Sequence, residues 1–87
     1  MEIVNKSDID VSWFFYNSYD TAKWIALSSG DLSANGSLSY EPPKNSTGNY
    51  YLRFTRKGGG AELAGCYTQG QETTLVGAGG QYKASHT

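Results

Sequence analysis

Hydrophobic and polar residues alternate at period two along several short stretches of this chain, and that alternation predicts strands. The clearest stretch is Ile9–Tyr16, IDVSWFFY. Ile9, Val11, Trp13 and Phe15 fall on one face, and Asp10, Ser12, Phe14 and Tyr16 on the other. A second strong segment is Asn49–Lys57, NYYLRFTRK, with Tyr50, Leu52 and Phe54 on one face and Tyr51, Arg53 and Thr55 on the other. Weaker strands are predicted at Met1–Asn5, Ser37–Glu41, Ala61–Thr68, Glu72–Ala78 and Gln81–Ala84. Thr21–Leu27, TAKWIAL, is read as a strand too, because seven residues are too few for a stable isolated helix.

Turn-forming residues separate these segments. Asn5–Asp8 reads as a turn, Ser28–Gly30 as a break, and Gly58–Gly60 as a flexible connection. Ala34–Ser37 carries the Asn-Gly dipeptide of a type I′ hairpin, and Pro42-Pro43 ends the strand before it. Many short strands with turns between them, and no helix long enough for a crossover, predict a compact antiparallel β-sandwich of about seven or eight strands. One domain is expected over residues 1–87, with a radius of gyration near about 12 Å and residues 84–87 as a loose tail.

Composition narrows the function classes. Seven Lys+Arg against eight Asp+Glu leave a net charge of −1, so no general field draws in nucleic acid or an acidic membrane. No apolar run approaches the length of a membrane span. The stretch MEIVNKSDID lacks the basic and apolar regions of a signal peptide, which fits a cytoplasmic protein or one secreted without a visible signal. One cysteine makes no internal disulfide, and one histidine builds no His-rich metal site. No cofactor is expected.

Each chemistry-bearing residue has an ordinary structural explanation. Cys66 reads as a small buried hydrophobe, and His86 lies in the expected tail, so no catalytic Cys–His pair is assigned. Asp8, Asp20 and Asp31 sit beside turn residues, while Asp10, Glu41, Glu62 and Glu72 fit solvent-facing strand positions paired with Arg53, Arg56 or Lys57. The glycines after Arg56-Lys57 lack the Lys-Ser/Thr and helix of a phosphate loop. Arg53, Arg56 and Lys57 lie among Tyr50, Tyr51 and Phe54, but alternation divides them between two faces, which weakens a nucleic-acid platform. The sequons at Asn5, Asn35 and Asn45 are explained by turn chemistry.

The segment IVNKSDIDVSWFFYN, followed later by the tyrosine-rich YYLRFTRKGGG, loosely resembles small β-sandwich proteins of the aegerolysin and small fungal lectin type. The likeness covers residues 3–16 and 49–60 and rests on strand rhythm and composition. It implies a sandwich that binds lipid or glycan without performing chemistry, and it assigns no individual residues.

The aromatic residues suggest a site. If Ile9, Val11, Trp13 and Phe15 face the core, Phe14 and Tyr16 face outward; if Ile25 and Leu27 face the core, Trp24 faces outward too. The residues expected to contact a ligand are Tyr16, Tyr19, Asp20 and Trp24, at the end of the first hairpin. Aromatic rings with a carboxylate suit a sugar, whose ring has apolar C–H faces and a hydroxyl rim. The competing explanation is that both sheet faces are covered and these aromatics belong to the core. The sequence therefore points to non-enzymatic, lectin-like carbohydrate binding, with a structural role through self-assembly or protein contact as the alternative. A homo-oligomer is expected, closed by edge strands or by the aromatic face.

Overall fold

A computed structural model describes residues 1–17, 26–41, 50–68 and 72–86. Eight strands are present among them: β1 (Glu2–Ser7), β2 (Val11–Asn17), β3 (Ser28–Leu32), β4 (Ser37–Ser39), β5 (Tyr50–Arg56), β6 (Glu62–Thr68), β7 (Glu72–Ala78) and β8 (Gln81–His86). They form two four-stranded sheets, ordered β4-β1-β7-β8 and β3-β2-β5-β6. The sheets pack face to face as an all-β sandwich with a radius of gyration of 11.8 Å. Among the described residues no helix is long and apolar enough to cross a membrane.

The inward face of β2 lies as predicted, although Ser12 and Tyr16 on the other face are buried as well. Val11, Trp13 and Phe15 are buried, and so are Leu52 and Phe54 from β5 and Ile3 and Leu75 from the other sheet. Aromatic rings fill the middle. Phe15 lies 4.9 Å from Tyr40 and 4.8 Å from Tyr50 between ring centroids, and Trp13 lies 5.4 Å from Tyr40.

The sheets are not wholly antiparallel. β1 runs parallel to β7, from Glu2 opposite Glu72 to Ser7 opposite Gly77. A parallel pair needs a long connection, which is usually a helix. Here residues 8–71 make it, largely by building the other sheet, so the pairing does not depend on a crossover helix. This pairing also extends β1 through Asn5, Lys6 and Ser7, which sequence reading gave to a turn.

Three other expectations change. Ser28–Gly30 begins β3 rather than breaking the pattern, because β2 supplies its backbone partners and Trp13 packs over Gly30. A Cβ at Gly30 would stand 3.1 Å from the indole Nε1. The Asn-Gly turn does not close a hairpin, since β3 and β4 belong to different sheets. Gly36 N–H donates to Ser33 O at 2.8 Å, and Asn35 has φ of 63° while Gly36 is not left-handed. A type I′ turn requires both central residues to be left-handed. Finally, Ala84, Ser85 and His86 pair with Leu75, Thr74 and Thr73, so β8 takes up residues 84–86 of the expected tail.

One buried polar side chain joins the sheets. Asn5 is fully buried and shares its amide hydrogens among the carbonyls of Ile9 (2.9 Å), Leu32 (3.2 Å) and Ser33 (3.1 Å). Its Oδ1 accepts from the Ser7 backbone and hydroxyl. Every part of this sequon asparagine is occupied by the fold.

Candidate functional site

The outward face of the second sheet carries a row of three tyrosines. Strand registry sets Tyr16 beside Tyr51 and Tyr51 beside Tyr67, across β2, β5 and β6. Their ring centroids are 6.4 Å and 4.9 Å apart, the first pair tilted at 40° and the second edge-to-face at 65°. Edge-to-face geometry directs the positive edge of one ring at the negative face of the other. Exposure rises along the row: Tyr16 is 2% exposed, Tyr51 is intermediate, and Tyr67 is 56% exposed.

The next positions supply charge. Arg53 follows Tyr51 on the same face of β5, and Glu62 reaches the face from β6. A register shift between Phe54 and Thr55 sets Thr55 opposite Glu62, leaving Leu63 as the extra residue of a bulge. Glu62 Oε1 accepts the Tyr51 hydroxyl at 2.9 Å and lies 3.6 Å from Arg53 Nε. The strand pairing of Glu62 with a β5 arginine, expected from the sequence, is therefore present. Oε2 has no partner among the described residues. Burial and the bond to Glu62 push the Tyr51 phenol up to about 12.

Gly65 makes the arrangement possible. A Cβ there would fall 2.8 Å from Tyr51 Cζ and nearer still to the hydroxyl. Only a bare strand position lets the ring lie across β6 to Glu62, as an aromatic covering a cross-strand glycine does.

Of the residues picked out from sequence, Tyr16 stands on the expected face but is buried, so a ligand cannot stack on it. Tyr19, Asp20 and Trp24 lie outside the described residues. Leu27, expected in the core, is 42% exposed in a bend, so it gives no support for an outward Trp24. Phe14 is half-buried. Tyr51, Tyr67 and Glu62 were not selected, although β5 alternation already put Tyr51 and Arg53 outward.

Other candidate chemistry resolves into structure. Cys66 is half-buried, and burial pushes its thiol up, away from the thiolate that nucleophilic chemistry needs. Asp8 accepts the Tyr82 hydroxyl at 2.8 Å and the Gly79 N–H at 3.2 Å, fastening the β7–β8 hairpin to the β1–β2 connection. Those bonds, Tyr82 first, hold its carboxyl below the usual range, and in return Asp8 raises the Tyr82 phenol. Gly58, Gly59 and Gly60 all have positive φ and form the turn between β5 and β6. Among the described residues no three His, Cys, Asp or Glu side chains gather where a metal could be held.

No protein-family model, curated protein or solved structure matches the chain.

Proposed function

We propose that this protein is a non-enzymatic, lectin-like binding protein that recognises carbohydrate on the tyrosine face of its second sheet. The observation that supports this most is the exposed Tyr67 ring beside Tyr51, with the Glu62 carboxylate anchored between Tyr51 and Arg53. A sugar ring sets its C–H face against the Tyr67 ring. Its hydroxyl hydrogens are accepted by Glu62 Oε2. Because Oε1 is already held at two points, the carboxylate is oriented before ligand arrives, and less ordering entropy is lost on binding. The pairing of Glu62 with Arg53 leaves little net charge at the face, which favours neutral sugars.

Glycan-array binding followed by solution titration tests the proposal. Wild-type protein binds a defined set of neutral glycans, and Tyr67→Ala weakens that binding by roughly tenfold or more, about 1.4 kcal/mol. Retention of full affinity by Tyr67→Ala would exclude this face. Binding of no glycan by wild-type protein would leave the structural, self-assembling role as the better account.

A further inference from the structure

The outward face of the first sheet, on the opposite side of the sandwich from the tyrosines, is divided by charge. Glu2 on β1 and Glu72 on β7 lie in register at one end, beside Ser39. Two residues along, Val4, Thr74 and Ser85 form a neutral row, with Ser37 on β4. Two further along, Lys6 and Lys83 flank Val76, which is 41% exposed.

This distribution does not satisfy itself within one chain. Glu2 and Glu72 are neighbours on paired strands about 4.8 Å apart, where like charges repel. Among the described residues their carboxylates accept only local hydroxyls, Glu2 from Ser39 and Glu72 from Thr74 at 3.0 Å. Among the described residues neither lysine is ion-paired. The two rows are four residues apart along β1, about 13 Å, which exceeds the screening length in physiological salt.

We infer that this face is a self-complementary interface whose occupant is a second copy of the same chain. A two-fold axis lying between the copies, along the Val4–Thr74–Ser85 row, turns one sheet end for end over the other. Each Glu2–Glu72 row then covers the partner's Lys6–Val76–Lys83 row, and the reverse contact follows by symmetry. Val4 and Thr74 sit at the axis. Small side chains, Ser37, Ser39, Thr74 and Ser85, allow the two sheets to approach. The patch is only about 15 by 17 Å, well under a standard interface, so the dimer is weak and held largely by charge. The inference does not rest on carbohydrate binding, and in this dimer both tyrosine faces remain free.

Sedimentation equilibrium of the whole chain over a range of concentrations tests it. Wild-type protein dimerises in about 0.01 M salt, and its Kd weakens by about tenfold or more in about 1 M salt. Glu2→Lys/Glu72→Lys makes the face wholly basic, Lys6→Glu/Lys83→Glu makes it wholly acidic, and each variant alone is monomeric. Their equimolar mixture forms a heterodimer. Far-UV circular dichroism checks each fold, and Lys6→Gln/Lys83→Gln, also monomeric at low salt, replaces a variant that fails to fold. Three results would overturn the inference. One is a wild-type monomer at every concentration in low salt. Another is a dimer that persists in each variant alone, as edge pairing or a tyrosine-face contact would give. The third is a mixture of folded reversed variants that does not associate.

Discussion

The Asn5 side chain makes five hydrogen bonds, all of them internal. Removing it strands the Leu32 carbonyl and the Ser7 N–H in a buried setting and leaves the part-buried Ile9 and Ser33 carbonyls without this donor. Asn5→Ala is expected to cost about 3 kcal/mol, seen as a lower urea midpoint with an unchanged slope. A loss below about 0.5 kcal/mol would mean that water replaces the amide freely. Tyr51 gives a second residue-level expectation. Its raised folded-state pKa means the neutral phenol is the form the fold prefers. The stabilisation is complete below its unfolded value of 10.0 and is lost as pH rises towards about 12. Phenolate absorbance should show one group ionising near 12 that Tyr51→Phe removes and Glu62→Gln moves downward. If Glu62→Gln leaves that titration in place, the Tyr51–Glu62 bond is not what holds the phenol neutral.

At the scale of elements, the strands that were legible are those whose own residues alternate. β2 and β5 announce their inward faces, so Trp13 could be placed in the core from sequence alone. Trp13→Ala should cost roughly 3–5 kcal/mol through the cavity it leaves, measured by thermal or denaturant unfolding. An unchanged melting temperature would invert the register of β2. β3 was illegible because SSGDL has no strand character of its own; its pairing comes from β2 and its fit from the space over Gly30. The parallel β1–β7 pair was missed for a related reason, since nothing local to either strand records a partner so distant in sequence. The tyrosine pair, by contrast, could have been found. Tyr51 and Tyr67 stand eight residues either side of Gly59, so a hairpin centred on the glycine run pairs them. Alternation in β2 likewise marks Tyr16 as outward but cannot show that it is covered.

Over the whole molecule, the sheets are tied together at several levels. Core aromatics fill the space between them, Asn5 links β1 to the end of β3, and Asp8 fastens the last hairpin to the first connection. Such a molecule should unfold as one unit, with tryptophan fluorescence and far-UV circular dichroism giving coincident transitions and a β-type spectrum. Separated transitions would show that one sheet survives the loss of the other. The two broad outer faces differ in kind, aromatic on one side and charge-divided on the other, and each has its own proposed partner. The aromatic face carries the proposed carbohydrate site. Its most direct test is a nitrogen-15 NMR titration of the full chain with the neutral glycan that binds best on the array. Carbohydrate binding on the tyrosine face gives saturable shifts concentrated on Tyr51, Arg53, Glu62, Gly65 and Tyr67. Shifts confined to residues 18–25, with β5 and β6 unmoved, would contradict it and return the site to the end of the first hairpin.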